Sequence, residues 1–336
     1  MMTTARLATL LREKWDVLSP GEPLPARFSF MLMTKGRESV GKIVLLAFLG
    51  HERVPRFVIK LARLEAQNRA LEAEYLNLKM VAPHGTYGGV RTPQPLLGCE
   101  DDGRFCLVES MIEGVELGQA SRRSPSATFI DPIVDWLIHL GRATVGFAPQ
   151  DARGDDLMHL IDGAAPYVTK PEERRVLDQA AGRLLGLRDA PIPRVFEQRD
   201  MGTWNLLVSR EGTIGVLDWE SSRAHGFPAW DLFYFLAHYG FMVHETSSVS
   251  ARLNSARGSF LDRHGFGATV RSAVGRYATA MSLREEWLGL LFLGCWLHHA
   301  VSETSRLGIR LSESLFWQMA ALTLDRDCRL NFVAPR

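Results

Sequence analysis

The segment RDMGTWNLLV (residues 199–208) sets Asp200 and Asn205 five apart, just ahead of a short apolar run. A further carboxylate, Asp218, stands thirteen residues beyond Asn205 in VLDWE. Aspartate and asparagine are common in turns because their side chains bond nearby backbone, so the pair alone carries little. The third residue changes the reading. NLLVS and GVLDW flank REGT as two short strands around a turn, and a hairpin brings its open ends together. Asn205 and Asp218 are therefore expected to converge. Amide and carboxylate oxygens at one point suit Mg2+, which takes oxygen ligands and keeps some water. Asp200, close by, is then placed to accept a proton from a substrate hydroxyl.

A compositional bias marks further candidates. Lysine occurs only at positions 14, 35, 42, 60, 79 and 170, six of the 39 basic residues, so each raises the question of why arginine was not used. Lys60 lies in RFVIKLA (residues 56–62), the third of three short apolar runs; the others are RFSFMLMT (27–34) and GKIVLLAFLG (41–50). The turns KGRES and HERVP separate them, which predicts an antiparallel meander. Leu71, Tyr75, Leu78 and Val81 then recur at helical spacing and predict a helix over 65–81. Two more strands are expected around the turn DDG within residues 92–112.

Beyond Ile112 the pattern is mostly helical. Asp131 reads as an N-cap with Pro132 at the first helical position, and Pro171 with Glu172 and Glu173 opens another helix. Apolar-periodic stretches follow near 229–243, 249–262, 268–281, 284–305 and 311–324. The expectation is an α+β chain of two lobes: residues 1–112, small, β-rich and antiparallel with one main helix, and residues 113–336, large and mostly helical. The boundary falls near 112–114, and ligands favour clefts at such junctions.

Composition excludes several classes. The 336 residues are 46% apolar and 23% charged, with a net charge of +1, so nothing calls for nucleic acid or an anionic membrane. Cys99, Cys106, Cys295 and Cys328 show no metal-ligand spacing and read as reduced thiols of a cytoplasmic protein. WLGLLFLGCW (287–296) is too short to span a bilayer and reads as a buried helix. The amino-terminal MMTTARLATLLREKW has charges where a signal peptide would be apolar, and predicts a short amphipathic helix.

The joined segment RDMGTWNLLV…GTIGVLDWE resembles the catalytic and metal-binding stretches of the aminoglycoside phosphotransferase and choline kinase-like superfamily. It is similar to the relaxed form H-x-D-x-x-x-x-N followed by an aspartate, shared with protein kinases. HGFPAWDLFYFLAH resembles the superfamily's G-D-P-x-x-D-L-A segment, with Gly226, Pro228, Asp231 and Leu232 in place. The resemblance, over roughly residues 27–238, implies a bilobal protein-kinase-like fold and a kinase that moves the γ-phosphate of ATP or GTP to a small-molecule hydroxyl. It implies Asp200 as base, Asn205 and Asp218 as Mg2+ ligands, Lys60 as the phosphate-holding lysine and Glu74 as its partner. Glu72, two residues away, competes for that last role; the inward helical face with Leu71, Tyr75 and Leu78 decides between them. KGRESVG, with Gly36 and Ser39, falls where the nucleotide loop would lie, and Glu109 and Met111 where an adenine would meet the hinge.

The departures motivate a second reading. Gln198 and Arg199 replace the usual histidine and glycine before Asp200, and the nucleotide loop is poor in glycine. A kinase-fold protein that binds nucleotide without transfer, a pseudokinase, is thus the alternative. A hydrolase using Asp200 and Glu220 explains neither Lys60 nor Asn205. Asp231 is expected to brace the loop after Asp218. The acceptor stays open among a sugar, a polyol, an amino alcohol and a carbohydrate intermediate. From Ser221 onward twelve arginines face nine carboxylates, so no acidic excess for a polycation is visible.

Overall fold

The computed structural model describes residues 3–33, 42–124, 129–145, 155–187, 192–322 and 330–332. Two compact units divide the chain, one of Met1–Val115 with Leu206–Ser222, the other of Glu116–Asn205 with Arg223–Arg336. The first break lies close to the boundary expected at 112–114. The hairpin segment, expected in the second lobe, groups with the first unit.

The first unit opens with α1 (Thr4–Glu13) and α2 (Trp15–Leu18). Thr3 caps α1 by accepting from the Arg6 N–H at 3.2 Å. Leu7, Leu10 and Leu11, spaced three and four apart, bury one face of that helix. Then come β1 (Phe28–Leu32), β2 (Lys42–Leu49), β3 (Phe57–Ala62), α3 (Asn68–Val81), β4 (Val90–Arg91), β5 (Pro95–Asp101) and β6 (Arg104–Ser110). Five of these strands form one antiparallel sheet in the order β1-β2-β3-β6-β5. A sheet has two faces because side chains alternate. Leu45, Ala47, Leu49, Ile59, Leu61, Cys106 and Val108 point to one face and pack with Leu7, Leu11 and Trp15. Val44, Lys60 and Leu107 are directly paired and lie on the other. Tyr75 of α3 rests on β5, where a Cβ on Gly98 would come within 2.5 Å of its ring.

β7 (Val115–Glu116) spans the division between the units along the chain, followed by α4 (Leu117–Arg123), α5 (Ile130–Thr144), α6 (Asp155–Ala164), α7 (Pro171–Leu185) and β8 (Val195–Glu197). α5 starts earlier than the Asp131 cap expected from sequence. Phe129 and Ile130 are both buried, and this apolar anchoring draws the helix start back. Asp131 falls in the first turn and bonds Arg276 at 2.7 Å. α7 begins as expected at Pro171; the Glu173 carboxylate accepts from the Lys170 and Thr169 N–H groups at 2.9 and 2.7 Å.

β9 (Leu206–Val208) and β10 (Ile214–Val216) form the expected hairpin, with Leu206 opposite Val216, and β10 also pairs in parallel with β4. Gly212, at φ +83°, makes the turn. β11 (Arg223–Gly226) pairs antiparallel with β8. The chain ends in α8 (Trp230–Val243), α9 (Val249–Phe260), α10 (Gly265–Ala280), α11 (Glu285–Leu307) and α12 (Leu315–Ala321), close to the five periodic stretches. Trp287, Leu291, Phe292, Cys295 and Trp296 are buried on several sides of α11, so its apolar run is core. Among the described residues no helix is long and apolar enough to cross a membrane.

Candidate active site

In the first unit the second sheet face gathers charge against α3. Lys60 Nζ lies 2.5 Å from Glu74 Oε1 and 2.9 Å from Glu109 Oε1, and all three side chains are buried. Glu72 is exposed, so the helical face selects Glu74. Burial works against the charged form of Lys60, yet Glu109 and Glu74 outweigh it and hold its ammonium above its ordinary pKa. Burial likewise opposes ionised Glu74, but Lys60 and Lys42 win and hold its carboxyl below the usual range. Burial pushes the Glu109 carboxyl up, against the pull of Lys60.

Sequence reasoning missed Lys42. On β2 it sits two residues before Val44, the partner of Lys60, and parity therefore turns it to the same face. Its Nζ lies 3.0 Å from Glu74 Oε2, 2.8 Å from Asp218 Oδ1 and 2.9 Å from Glu220 Oε2. Glu74, Asp218 and Glu220 each offer an oxygen within 4.8 Å of the other two. Asp218 follows the hairpin with φ +60°, a left-handed conformation that aspartate tolerates better than most non-glycine residues. Trp219 beside it is buried, its indole N–H donating to the Val216 carbonyl at 3.0 Å. The one available signal for Lys42 was the scarcity of lysine; its partners depend on strand register.

Glu109 was expected at an adenine hinge. Its backbone lies mid-sheet, opposite Val58 on one side and Pro95 on the other, while its side chain meets Lys60. Met111, just past β6, donates its N–H to the Arg56 carbonyl at 3.3 Å. Gly36 and Ser39 lie outside the described residues.

In the second unit Asp200 sits in a tightly bonded loop. The Gln198 and Arg199 N–H groups donate to Asp231 Oδ2 and Oδ1 at 2.7 and 2.8 Å. Asp231 therefore braces the entry to Asp200, not the stretch after Asp218, because α8 presents its first turn to the end of β8. Gln198 Oε1 accepts from the Asp200 N–H at 2.8 Å, so the glutamine supports the loop from the position where a histidine was expected. Asn205 Nδ2 donates to the Asp200 carbonyl at 2.9 Å and to its Oδ2 at 2.8 Å. Arg199 takes φ +71° within this turn, a second strained residue beside a candidate group.

Trp204 has a clear packing role. A Cβ on Gly202 would lie 2.3 Å from its ring, and that ring stands edge-on to His238 at 4.8 Å and Tyr234 at 6.2 Å. Tyr234 also stacks on His299 at 4.3 Å. Burial and the neighbouring Asp200 carboxylate push the Tyr234 phenol up. Burial drives His238 down to about 3 and, with Arg199, His298 down to about 4, so these imidazoles are neutral near pH 7.

Beneath the loop two buried carboxyls share one environment. Burial and then Asp231 push Glu197 up to about 8; burial, partly offset by the two N–H bonds, brings Asp231 to about 6. For Glu197 the folded state keeps a proton that the unfolded chain releases near the ordinary glutamate value of 4.5. Stability then falls as pH rises through that window and levels off above the folded pKa, with a slope of at most about 1.4 kcal/mol per pH unit. Glu197→Gln is expected to flatten melting temperature against pH between these limits and to raise it on the alkaline side. A variant that keeps the wild-type slope would refute this role for Glu197.

A sheet with a buried lysine–glutamate pair against its helix, and a mostly helical unit carrying an aspartate loop, define a protein-kinase-like fold. The sequence signature of the phosphotransferase enzyme family (APH) matches residues 46–266, and the chain belongs to that family. The fold is similar to a thermostable mutant of aminoglycoside phosphotransferase APH(4)-Ia in ternary complex with ADP and hygromycin B: TM-score 0.59, 15% identity, covering 96% of this chain and 99% of that one. It is also similar to spectinomycin phosphotransferase APH(9)-Ia with ADP and spectinomycin, at TM-score 0.51 and 11% identity, covering 94% of each chain. LicA in complex with AMP matches at TM-score 0.50 and 14% identity, covering 95% of this chain and 98% of that one. A comparison with curated proteins finds no significant match.

Proposed function

We propose that this protein transfers the γ-phosphoryl group of ATP or GTP to a hydroxyl of a small molecule. The observation that carries the reading is the chain of ion pairs that joins buried Lys60 to Glu74, and Glu74 through Lys42 to Asp218. Lys60, oriented by Glu74, holds the nucleotide phosphates, and the backbone at Met111 would meet the base. The donor set fits a hard divalent cation, because three carboxylate oxygens already gather around one positive charge, the Lys42 ammonium. Asp218 would hold Mg2+ there and Asn205 would offer its amide oxygen, its Nδ2 being engaged by Asp200. Bound Mg2+ supplies neutralisation of phosphate charge. Asp200 orients the acceptor hydroxyl and takes its proton as the oxygen bonds to the γ-phosphorus. The bond from that phosphorus to the bridging oxygen breaks, and the nucleoside diphosphate leaves with the electron pair.

Beside Asp200 stand Tyr234, with the rings of Trp204 and His299 packed on it, and the neutral imidazole of His238, while the two further carboxyls near the loop, Glu197 and Asp231, are buried beneath it. This favours an acceptor presenting ring C–H faces, such as a sugar or cyclic polyol, over a polycation. The transfer-silent alternative rested partly on Gln198, and the bond from the Asp200 N–H to that side chain supports the transfer reading.

The test is a panel of sugars, polyols and amino alcohols with ATP or GTP and Mg2+. The expected result is ADP or GDP formation stimulated by one acceptor class and stopped by EDTA. Mg2+–nucleotide at about a hundred times its Kd should also stabilise the protein by about 2.7 kcal/mol. Thermal stabilisation without turnover across the whole panel would favour the pseudokinase, and neither effect would overturn both readings.

A further inference from the structure

Of the six lysines, the phosphotransfer scheme gives a phosphate to Lys60 alone, and Lys42 stands close to it. Lys42 shares its sheet face with Lys60 but is bonded differently: Lys60 is held by Glu74 and Glu109, whereas Lys42 bridges Glu74, Asp218 and Glu220. Its ammonium stands within 3.0 Å of an oxygen from each of three carboxylates, the arrangement that a small divalent cation would also adopt. The two ammoniums face four carboxylates, Glu74, Glu109, Asp218 and Glu220. Without Lys42, Asp218 and Glu220 would repel each other across a partly dry site.

We propose that Lys42 is a cation placeholder. In the nucleotide-free protein its ammonium takes the place of the divalent metal among Glu74, Asp218 and Glu220. When metal arrives with nucleotide, the carboxylates pass to the metal and the ammonium swings to a phosphate oxygen beside Lys60. The exchange explains why lysine stands here in a chain whose basic residues are mostly arginine. A compact ammonium on a flexible stem can leave three oxygens and reach a phosphate, while a planar guanidinium is committed to its fork. It also makes metal binding conditional: metal alone must displace a bound cation, whereas metal with nucleotide gives that cation a new partner. The inference rests on the phosphotransferase reading for its phosphate step, and its metal step stands on the cluster alone.

The experiment uses the full chain and two probes, Mn2+ alone, followed by electron paramagnetic resonance at low salt, and ADP without metal, followed by calorimetry. Lys42→Met is expected to bind Mn2+ at least about tenfold more tightly than wild type and metal-free ADP about tenfold more weakly. Lys60→Met should weaken ADP as well but tighten Mn2+ less, since Lys60 does not bridge Asp218. Unchanged or weaker Mn2+ binding by Lys42→Met overturns the placeholder, and so does unchanged ADP binding. If Lys42→Met fails to fold, Lys42→Gln, neutral and of similar length, gives the same comparison. Wild-type protein without any acceptor-dependent transfer would sink the phosphotransferase reading, with the Mn2+ comparison still deciding the metal step.

Discussion

Asp200→Asn is expected to lower acceptor-dependent phosphotransfer by about 10³-fold, within the range for loss of a positioned base. An asparagine oxygen can still accept from Asn205 Nδ2, and the backbone N–H bonds to Asp231 and Gln198 do not involve the changed atoms. The loop should therefore keep its shape and lose only the group that takes the proton. Nucleotide affinity should be nearly unchanged, because the phosphates are assigned to Lys60. Steady-state turnover beside direct nucleotide titration separates the two quantities. Turnover surviving within tenfold of wild type would remove Asp200 from the role of base. Loss of nucleotide binding in the same variant would mean that the substitution acts through structure.

The largest effect on stability is expected at Glu74. It is fully buried and serves Lys60 and Lys42 at once, so Glu74→Ala takes a carboxylate from two cations on one sheet face, leaving Lys60 with Glu109 and Lys42 with Asp218 and Glu220. Removing one partner from a buried ion pair typically costs about 3–5 kcal/mol, because the charge left behind has lost its solvent as well as its partner. That corresponds to a drop of roughly 10 °C in melting midpoint for a unit of this size. Glu74→Gln keeps the volume and one acceptor oxygen and should cost less. By contrast Glu72→Ala, on the exposed face of the same helix, should stay within about 0.5 kcal/mol of wild type. Urea or thermal unfolding of the three variants checks the ranking, and equal losses for Glu72 and Glu74 would contradict it.

These two residues also show what could be read in advance. Asp200 was accessible because its evidence is local: the spacing to Asn205, a turn and a hairpin ending near Asp218 all lie within twenty residues. Glu74 needed one further step, the helical phase that separates it from Glu72. The late helices were legible for the same reason, since a 3.6-residue period is written continuously along the chain. Lys42 was not legible. Its meaning comes from pairing β2 to β3 in a register that sets Val44 against Lys60, and from Asp218 lying 176 residues away.

Asp231 makes the same point from the other unit. Its motif was recognisable and its structural character expected, but its bonds go to Gln198 and Arg199, 33 and 32 residues earlier. Local bonding rules have no means of choosing that loop over the one after Asp218. The amino-acid sequence by itself determined the elements, their apolar faces and the chemical types at the site, because periodicity, turn residues and side-chain donors are properties of short stretches. Tertiary structure alone decided which charges meet. Strand order, register and helix docking are set by the burial of whole faces, and a carboxylate buried by that packing takes whichever donor the packing brings within about 3 Å.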